Sequence, residues 1–330
     1  MTNLSQMNVG LSQINVEPLV SVIVPSYNQG DYIRYTIKSV LNQDYQNWEL
    51  IVVDGASTDS TVAILKEYGK EARIKWVSEP DDGPFHAYNK GLERSQGELV
   101  GFLESSDTYE PEVLSRALTE FLSDPNLALV GGVTKEVNLS GRPLDLAEPP
   151  SSRSGYISTD DISQLQKDPP AHASFFRRDI ALAIGGMDEE LSTTHTYFFF
   201  QYILEATAAG GRALLVDEHW GNFRRHPNSI SDRYSENLLK QAIERRVSCT
   251  RYVNQYCSIL TPSQAQSLLQ LGYYGELGVR VVVKKQIIPA IPALWGYLRN
   301  GGLTANRQKN LLFHLPLLIR SMLPGRHRSG

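Results

Sequence analysis

Two polar clusters in the first sixty residues have the composition of a ligand site. They are Pro25-Ser26-Tyr27-Asn28 and Asp54-Gly55-Ala56-Ser57-Thr58-Asp59. Each follows a short, β-branched apolar run, so each puts hydroxyls, a carboxamide or carboxylates at the carboxyl end of a predicted strand. Open α/β sheets bind nucleotides at that edge. Asp54 there can accept hydrogen bonds from a base or a ribose. Its alternative is to cap the following helix, a need that Ser57 and Asp59 already meet. Neither cluster contains GxGxxG or GxxxxGK[ST], so the glycine-rich phosphate cradles of dinucleotide and Walker sites are absent.

The elements that must hold these residues follow from periodicity. Val20 to Val24, Glu49 to Val53, Ile74 to Val77 and Leu99 to Leu103 read as buried strands bounded by turn residues. Ile33, Ile37, Val40 and Leu41 fall on one helical face, with Asp31 as candidate N-cap. A second helix, carrying Val62 and Leu65, starts at Ser57 or Asp59, and a third carries Ala87 and Leu92. Strand and helix in alternation predict an α/β fold with a mostly parallel sheet. From Asn138 to Pro170 the pattern dissolves into a proline-rich stretch that reads as a long surface loop. Regular patterns resume at Phe175, with a strand at Ala213 to Val216 and helix from Tyr234 onward.

Composition narrows the classes. The 330 residues are 41% hydrophobic and 21% charged, ordinary values that exclude disorder, collagen and coiled coil. A net charge of −4 excludes a protein that coats nucleic acid by global basicity. Cys249 and Cys257 fit no zinc or redox spacing and are expected reduced, in a cytoplasmic setting. Residues 1–17 are polar, without a basic start or apolar core, and no apolar run reaches the roughly 18–20 residues that span a bilayer. Charge is uneven: residues 271–330 hold 9 Lys/Arg and 1 Asp/Glu, a local +8 that leaves −12 for the rest. The apolar stretches Ile287 to Leu298 and Leu311 to Leu323 lie inside this basic tail. Together they suggest contact with an anionic membrane surface, against the alternative of a solvated helical cap.

Further segments carry a family resemblance. VSVIVPSYN, WELIVVDGASTDST, SEPDDG, AYNKG, GFLESSD, FFRR, IGGMDEEL and HPNSIS occur in that order. From about Pro18 to Ile230 the chain thereby resembles the family 2 glycosyltransferases of GT-A fold. The resemblance implies residues 1–17 as a flexible start, 18–232 as the transferase domain and 233–330 as a helical, basic extension. It implies sugar transfer, with inversion, from a nucleotide-diphosphate sugar to a glycan or lipid-linked acceptor in polysaccharide or cell-envelope synthesis. It also implies a divalent cation, Mg or Mn, to neutralise the diphosphate, and a carboxylate to take the acceptor proton. By position, Pro25, Ser26, Tyr27, Asn28 and Asp54 would surround base and ribose, and Gly83, Asn89 and Lys90 would lie near the nucleotide. Ser106 and Asp107 would stand at the metal motif, with Asp107 holding the cation at the reaction centre. The protein would be cytoplasmic and peripheral to the inner membrane face.

Two departures stand out. The family's metal motif usually reads N-S-D-D; here it is Glu104-Ser105-Ser106-Asp107, with Ser106 in place of the first acid. If the strand continues, Glu104 faces the other way. Where the family places Asp-Tyr-Asp-Leu and its base, this chain has His195-Thr196-Tyr197-Phe198-Phe199-Phe200, so the acid positions hold Thr196 and Phe198. His195 can titrate but points about 100° away on a helix; Asp188 is another place for a base. His172 meets the acceptor or is a surface histidine. His226 adds a metal or phosphate contact or is structural. Arg177 and Arg178 offer a phosphate fork, at least one of them being only a surface arginine. The rival reading is a degenerate relative that binds a nucleotide sugar or a partner enzyme without transfer.

Overall fold

The computed structural model describes residues 13–144, 154–157, 171–190, 196–227, 234–255, 260–278 and 295. The four expected strands are present: β1 (Val20–Ser26), β2 (Trp48–Asp54), β3 (Ile74–Ser78) and β4 (Leu99–Phe102). They pair in parallel in the order β3-β2-β1-β4. β1 and β2 are buried along their whole length, which is why they read as continuous apolar runs rather than alternating ones. The connecting helices are α1 (Ile33–Leu41), α2 (Thr61–Tyr68) and α3 (Pro84–Arg94). Ile33, Ile37 and Val40 are buried along one face of α1.

The helix starts differ from expectation. Tyr32, not Asp31, occupies the cap position of α1, and no side chain caps it. α2 begins at Thr61, later than Ser57 or Asp59. Asp59 accepts the Thr61 N–H at 2.9 Å, while Ser57 is drawn to Asp54. Both side chains thus serve the loop before they can serve the helix.

The second half extends the sheet. It contains β5 (Thr108–Tyr109), α4 (Val113–Ser123), β6 (Leu127–Val137), β7 (Gly155–Ile157), β8 (Ser174–Arg177), α5 (Arg178–Ala183), α6 (Thr196–Ala208) and β9 (Arg212–Arg224). The sheet runs on as β4-β8-β6-β9-β5, with β7 also on β9. β8 is antiparallel to both β4 and β6. The strand expected at Ala213 to Val216 is much longer, because β9 follows β6 through several register shifts and then meets β5. The stretch expected as loop from Asn138 onward includes a tight hairpin, with Asn138 N–H donating to Arg142 O and Leu144 N–H to Glu136 O, each at 2.9 Å. It also includes β7. Aromatic rings fill the space behind β4: Phe198 lies 5.3 Å from Phe102 and 5.2 Å from Phe176, centroid to centroid.

The chain divides into two compact units, Met1–Thr159 with Gln164–Ser229, and Asp160–Ser163 with Ile230–Gly330. The second unit contains α7 (Tyr234–Gln255) and α8 (Pro262–Gly278). α8 starts with a reciprocal cap, in which Thr261 N–H donates to Gln264 Oε1 at 2.7 Å and Gln264 N–H to Thr261 Oγ1 at 3.3 Å. Gly272 allows close helix packing, since a Cβ there would lie 2.8 Å from Arg246 Cα. Cys249 is buried on α7. Among the described residues no helix is long and apolar enough to cross a membrane. Cys257, His195, residues 1–12, and the basic tail from 279 apart from Trp295 lie outside the described residues.

Candidate active site

The strand order 3-2-1-4 reverses beside β1, and open α/β sheets bind ligands in the crevice outside the carboxyl ends of the strands at such a reversal, here β1 and β4. The loops after β1 and β2 are stitched together there. Asn28 N–H donates to Ser57 Oγ at 2.7 Å, and Asn28 Oδ1 accepts the Thr58 N–H at 2.9 Å. Gln29 N–H donates to Thr61 Oγ1 at 2.8 Å and Gly30 N–H to Asp59 Oδ2 at 2.9 Å. Asn28 (φ 53°) and Ala56 (φ 60°) both adopt the left-handed region, a strain that tends to collect at functional loops. Pro25 and Ser26 are buried at the end of β1, whereas Tyr27 is 60% exposed.

Asp54 is fully buried, and its carboxylate is spent internally. It accepts from Ser57 N–H at 2.9 Å, from Ser57 Oγ, and from Ser78 Oγ at 2.6 Å. These bonds tie the ends of β2 and β3 together. The carboxylate nearer the surface is Asp81, a residue to which the sequence assigned no role. Its Oδ1 accepts the Gly83 N–H at 2.9 Å, and its Oδ2 lies 2.8 Å from where a Gly55 Cβ would stand. Gly83 takes φ 117°, which a side chain would resist, and this bend starts α3.

Asn89 and Lys90 also point to protein partners. Asn89 Nδ2 donates to Met187 O at 2.8 Å and to Glu189 Oε1 at 2.7 Å, and its Oδ1 accepts the Met187 N–H at 2.7 Å. Lys90 pairs with Glu79 at 3.0 Å and donates to Pro80 O at 3.2 Å. The AYNKG segment thereby fastens α3 to the Gly186–Glu189 loop and to the loop after β3.

The metal motif forms a turn. β4 ends at Phe102, and the Asp107 N–H donates to Glu104 O at 3.0 Å. Glu104 has therefore left the strand, and strand alternation does not send it to the far face. Asp107 is fully buried. Its Oδ1 accepts the Arg224 N–H at 2.9 Å, and its main-chain O accepts from Thr36 Oγ1 at 2.8 Å. Its Oδ2 accepts no hydrogen bond, and His172 Nδ1 stands 3.6 Å from it. Burial pushes the Asp107 carboxyl well above the usual aspartate range, the Arg224 N–H opposes that, and the charge of Glu104 adds to it. Arg224 Nε donates to Ser106 O at 2.9 Å and Nη1 to Leu139 O at 2.8 Å, with the guanidinium 4.9 Å from the Tyr35 ring. His226 is buried, its ring 4.4 Å from that of Tyr32; His172 stacks on Phe223 at 5.4 Å.

A buried carboxylate oxygen without a hydrogen bond, beside a second acid, suits a hard divalent cation. Among the described residues no group of three or more His, Cys, Asp or Glu side chains is placed to hold a metal ion. A cation there would complete its shell with phosphate oxygens or water, as Mg²⁺ commonly does.

Other candidates lie elsewhere. Arg177 pairs across to Leu99, at the amino edge of the parallel strands and away from the crevice. It is buried, with Nε donating to Leu127 O and Nη2 to Pro125 O, both at 2.7 Å, and Arg178 Nε donates to Ser95 Oγ at 2.8 Å. The expected phosphate fork is thus a structural pair. Asp188 Oδ1 accepts the Glu190 N–H at 3.1 Å. Thr196 opens α6, and Phe198 is buried in the aromatic core.

Comparison with known proteins bears on this architecture. The model of the family described as "Glycosyl transferase family 2" matches residues 21–185. Over 133 residues the chain is 44% identical to TuaG of Bacillus subtilis, named as a teichuronic acid biosynthesis glycosyltransferase; the match covers 40% of this chain and 52% of that protein. The matched part thus spans about half the length of this relative. Among solved structures, S. aureus TarS residues 1–349 in complex with UDP-GlcNAc superposes with a TM-score of 0.66 at 20% identity, covering 92% of this chain and 88% of that one. The mannosyltransferase PcManGT of Pyrobaculum calidifontis, in complex with GDP-Man and Mn²⁺, gives a TM-score of 0.57 at 18% identity, covering 94% and 88%. The family match runs over the strands, turns and loops that build the crevice, and the chain belongs to glycosyl transferase family 2, with the GT-A fold.

Proposed function

We propose that this chain transfers a sugar from a nucleotide-diphosphate donor to a glycan or lipid-linked acceptor, with inversion, in polysaccharide or cell-envelope synthesis. The observation that carries the reading is the buried Asp107 carboxylate in the turn after β4, with an oxygen that accepts no hydrogen bond. The family membership and the relatives named above support the class of chemistry. The stitched loops after β1 and β2, with Tyr27 exposed beside them and Asp81 at their rim, would receive the nucleotide. Asp107 would hold a divalent cation, whose charge supports departure of the diphosphate. In such a displacement the acceptor oxygen bonds to the anomeric carbon as the bond to the diphosphate oxygen breaks, and the acceptor hydroxyl loses a proton. Thr196 is not basic near neutral pH, so that proton passes to another group or to water, and turnover is slow for the family. The unit with the large sheet would carry the transfer, and the basic tail would meet an anionic membrane surface.

Calorimetry with UDP-GlcNAc and GDP-Man, each with and without Mn²⁺, tests the reading, followed by assay of nucleotide release with glycan acceptors. Binding of one donor strengthened by Mn²⁺, and lost in Asp107→Asn, is the expected result. No binding of any nucleotide sugar would overturn it; binding with no release under any condition would favour a non-catalytic relative.

A further inference from the structure

We propose that one face of β6 and β9, carrying Phe223, Arg225 and Glu136, holds a pyranose ring of the acceptor glycan and leads the chain end toward Asp107. This assignment rests on the function proposed above and names the acceptor side of the same site.

Strand register sets the face. β6 and β9 run parallel, with Thr134 beside Gly221 and Glu136 beside Phe223. Side chains alternate along a strand, so Glu136, Gly221, Phe223 and Arg225 share one face and Arg224 turns to the other. There the Arg224 guanidinium lies against Tyr35 of α1. On the first face Gly221 leaves room for the segment 171–173, since a Cβ at 221 would stand 2.8 Å from His172 O. His172 is thereby laid over the sheet, its ring stacked on Phe223 at 5.4 Å and its Nδ1 3.6 Å from Asp107 Oδ2. Phe223 lies in turn 5.3 Å from the Arg225 guanidinium. Arg225 makes a fork to Glu136, with Nε donating to Oε2 at 2.5 Å and Nη2 to Oε1 at 3.2 Å. A continuous row of side chains therefore runs from the Asp107 oxygen that accepts no hydrogen bond out along the sheet.

This row has the chemistry of a sugar site. The Arg225 and Glu136 side chains are 40% and 32% exposed, so a ligand can reach both. A guanidinium only donates and a carboxylate only accepts, whereas a hydroxyl does both. Neighbouring hydroxyls of one pyranose can thus accept from Arg225 and donate to Glu136. The half-buried Phe223 beside them offers apolar surface to the C–H groups of the ring. The fork is already formed, so little side-chain freedom is lost on binding. Its charges cancel, which suits a neutral, hydroxyl-rich ring better than an anionic headgroup. For stability alone an exposed ion pair contributes little.

The test uses the full chain on immobilised glucose, N-acetylglucosamine, galactose and mannose oligosaccharides and on phosphatidylglycerol vesicles. Calorimetry with UDP-GlcNAc and GDP-Man, each with Mn²⁺, and a thermal melt accompany every variant. Wild type is expected to be retained on at least one oligosaccharide. Arg225→Ala and Glu136→Gln should weaken that retention by about ten- to a hundredfold, with melting and nucleotide-sugar affinity unchanged. Arg225→Lys keeps the charge but not the fork and should recover only part. Retention of wild type on no oligosaccharide overturns the assignment, as does full retention of Arg225→Ala and Glu136→Gln. Loss of glycan and nucleotide binding together, with lowered melting, also overturns it, because the fork would then act through packing. Vesicle binding that falls in Arg225→Ala while glycan retention holds gives the face to a membrane instead. The proposed function fails separately: fork-dependent glycan retention without any nucleotide-sugar binding would leave a sugar-binding face on a protein that does not transfer.

Discussion

Replacing Asn89 by alanine separates two roles for the AYNKG segment. The carboxamide makes three hydrogen bonds to the loop after α5: to Met187 O, to Glu189 Oε1 and from the Met187 N–H. Two join neutral groups and are worth about 0.5–1.5 kcal/mol each; a bond to a charged group is worth about 1.5–3 kcal/mol. Glu189 is exposed, so its bond belongs at or below the low end of that range. Met187 is buried, so water does not readily replace the lost main-chain partners. The total is about 3 kcal/mol, since neighbouring terms do not simply add. For a unit of this size that corresponds to a fall in Tm of roughly 6–12 °C. Urea unfolding followed by tryptophan fluorescence measures the loss. Calorimetry on the folded variant is expected to give wild-type nucleotide affinity, because every described contact of the carboxamide is internal. A variant of unchanged stability whose nucleotide affinity drops tenfold or more would refute the reasoning and return Asn89 to the nucleotide.

Gly186→Ala should destabilise the same loop by about 1–3 kcal/mol, because Gly186 has φ 74° and its new Cβ would overlap Asn89 Oδ1; chemical denaturation reads this. Asp54→Ala should cost about 3–5 kcal/mol as well as nucleotide affinity, since it leaves Ser57 and Ser78 without their buried acceptor; loss of affinity at unchanged stability would contradict that. Glu49 gives a pH test. Burial would raise its carboxyl, but bonds from Lys75, Ser21 and the Gln96 N–H outweigh burial and hold it below the ordinary 4.5. A depressed acid stabilises the fold above its ordinary value and loses that contribution as pH falls through the lower folded value. Glu49→Gln should therefore be less stable than wild type at neutral pH, with the gap closing in unfolding curves below about pH 4.5. Thr196→Asp restores an acid at the family's base position and should raise transfer by up to about 10²–10⁴-fold. No change in nucleotide release, with wild type already turning over at roughly 1–10³ s⁻¹, would place the base elsewhere.

The parallel half of the sheet was legible because its strands are buried on both faces and bounded by polar turns, a pattern local enough to survive in the sequence. The same turns mark the carboxyl ends of the strands, the edge at which α/β folds bind ligands. β9 was underestimated because its outer half carries Asp217, Glu218 and Arg224, polar residues whose strand state depends on β6 and β5 alongside. What individual polar residues do was decided only by tertiary structure. Asn89 meets Met187 across 98 residues, Asp54 meets Ser78 across 24, and Arg177 meets Leu127 across 50. A buried polar group takes whatever partner the packed chain brings to it, and sequence spacing does not name that partner. Glu104 depended on a smaller fact. β4 ends at Phe102 and a turn follows, so the two-residue alternation that would have sent Glu104 away from Asp107 no longer applies.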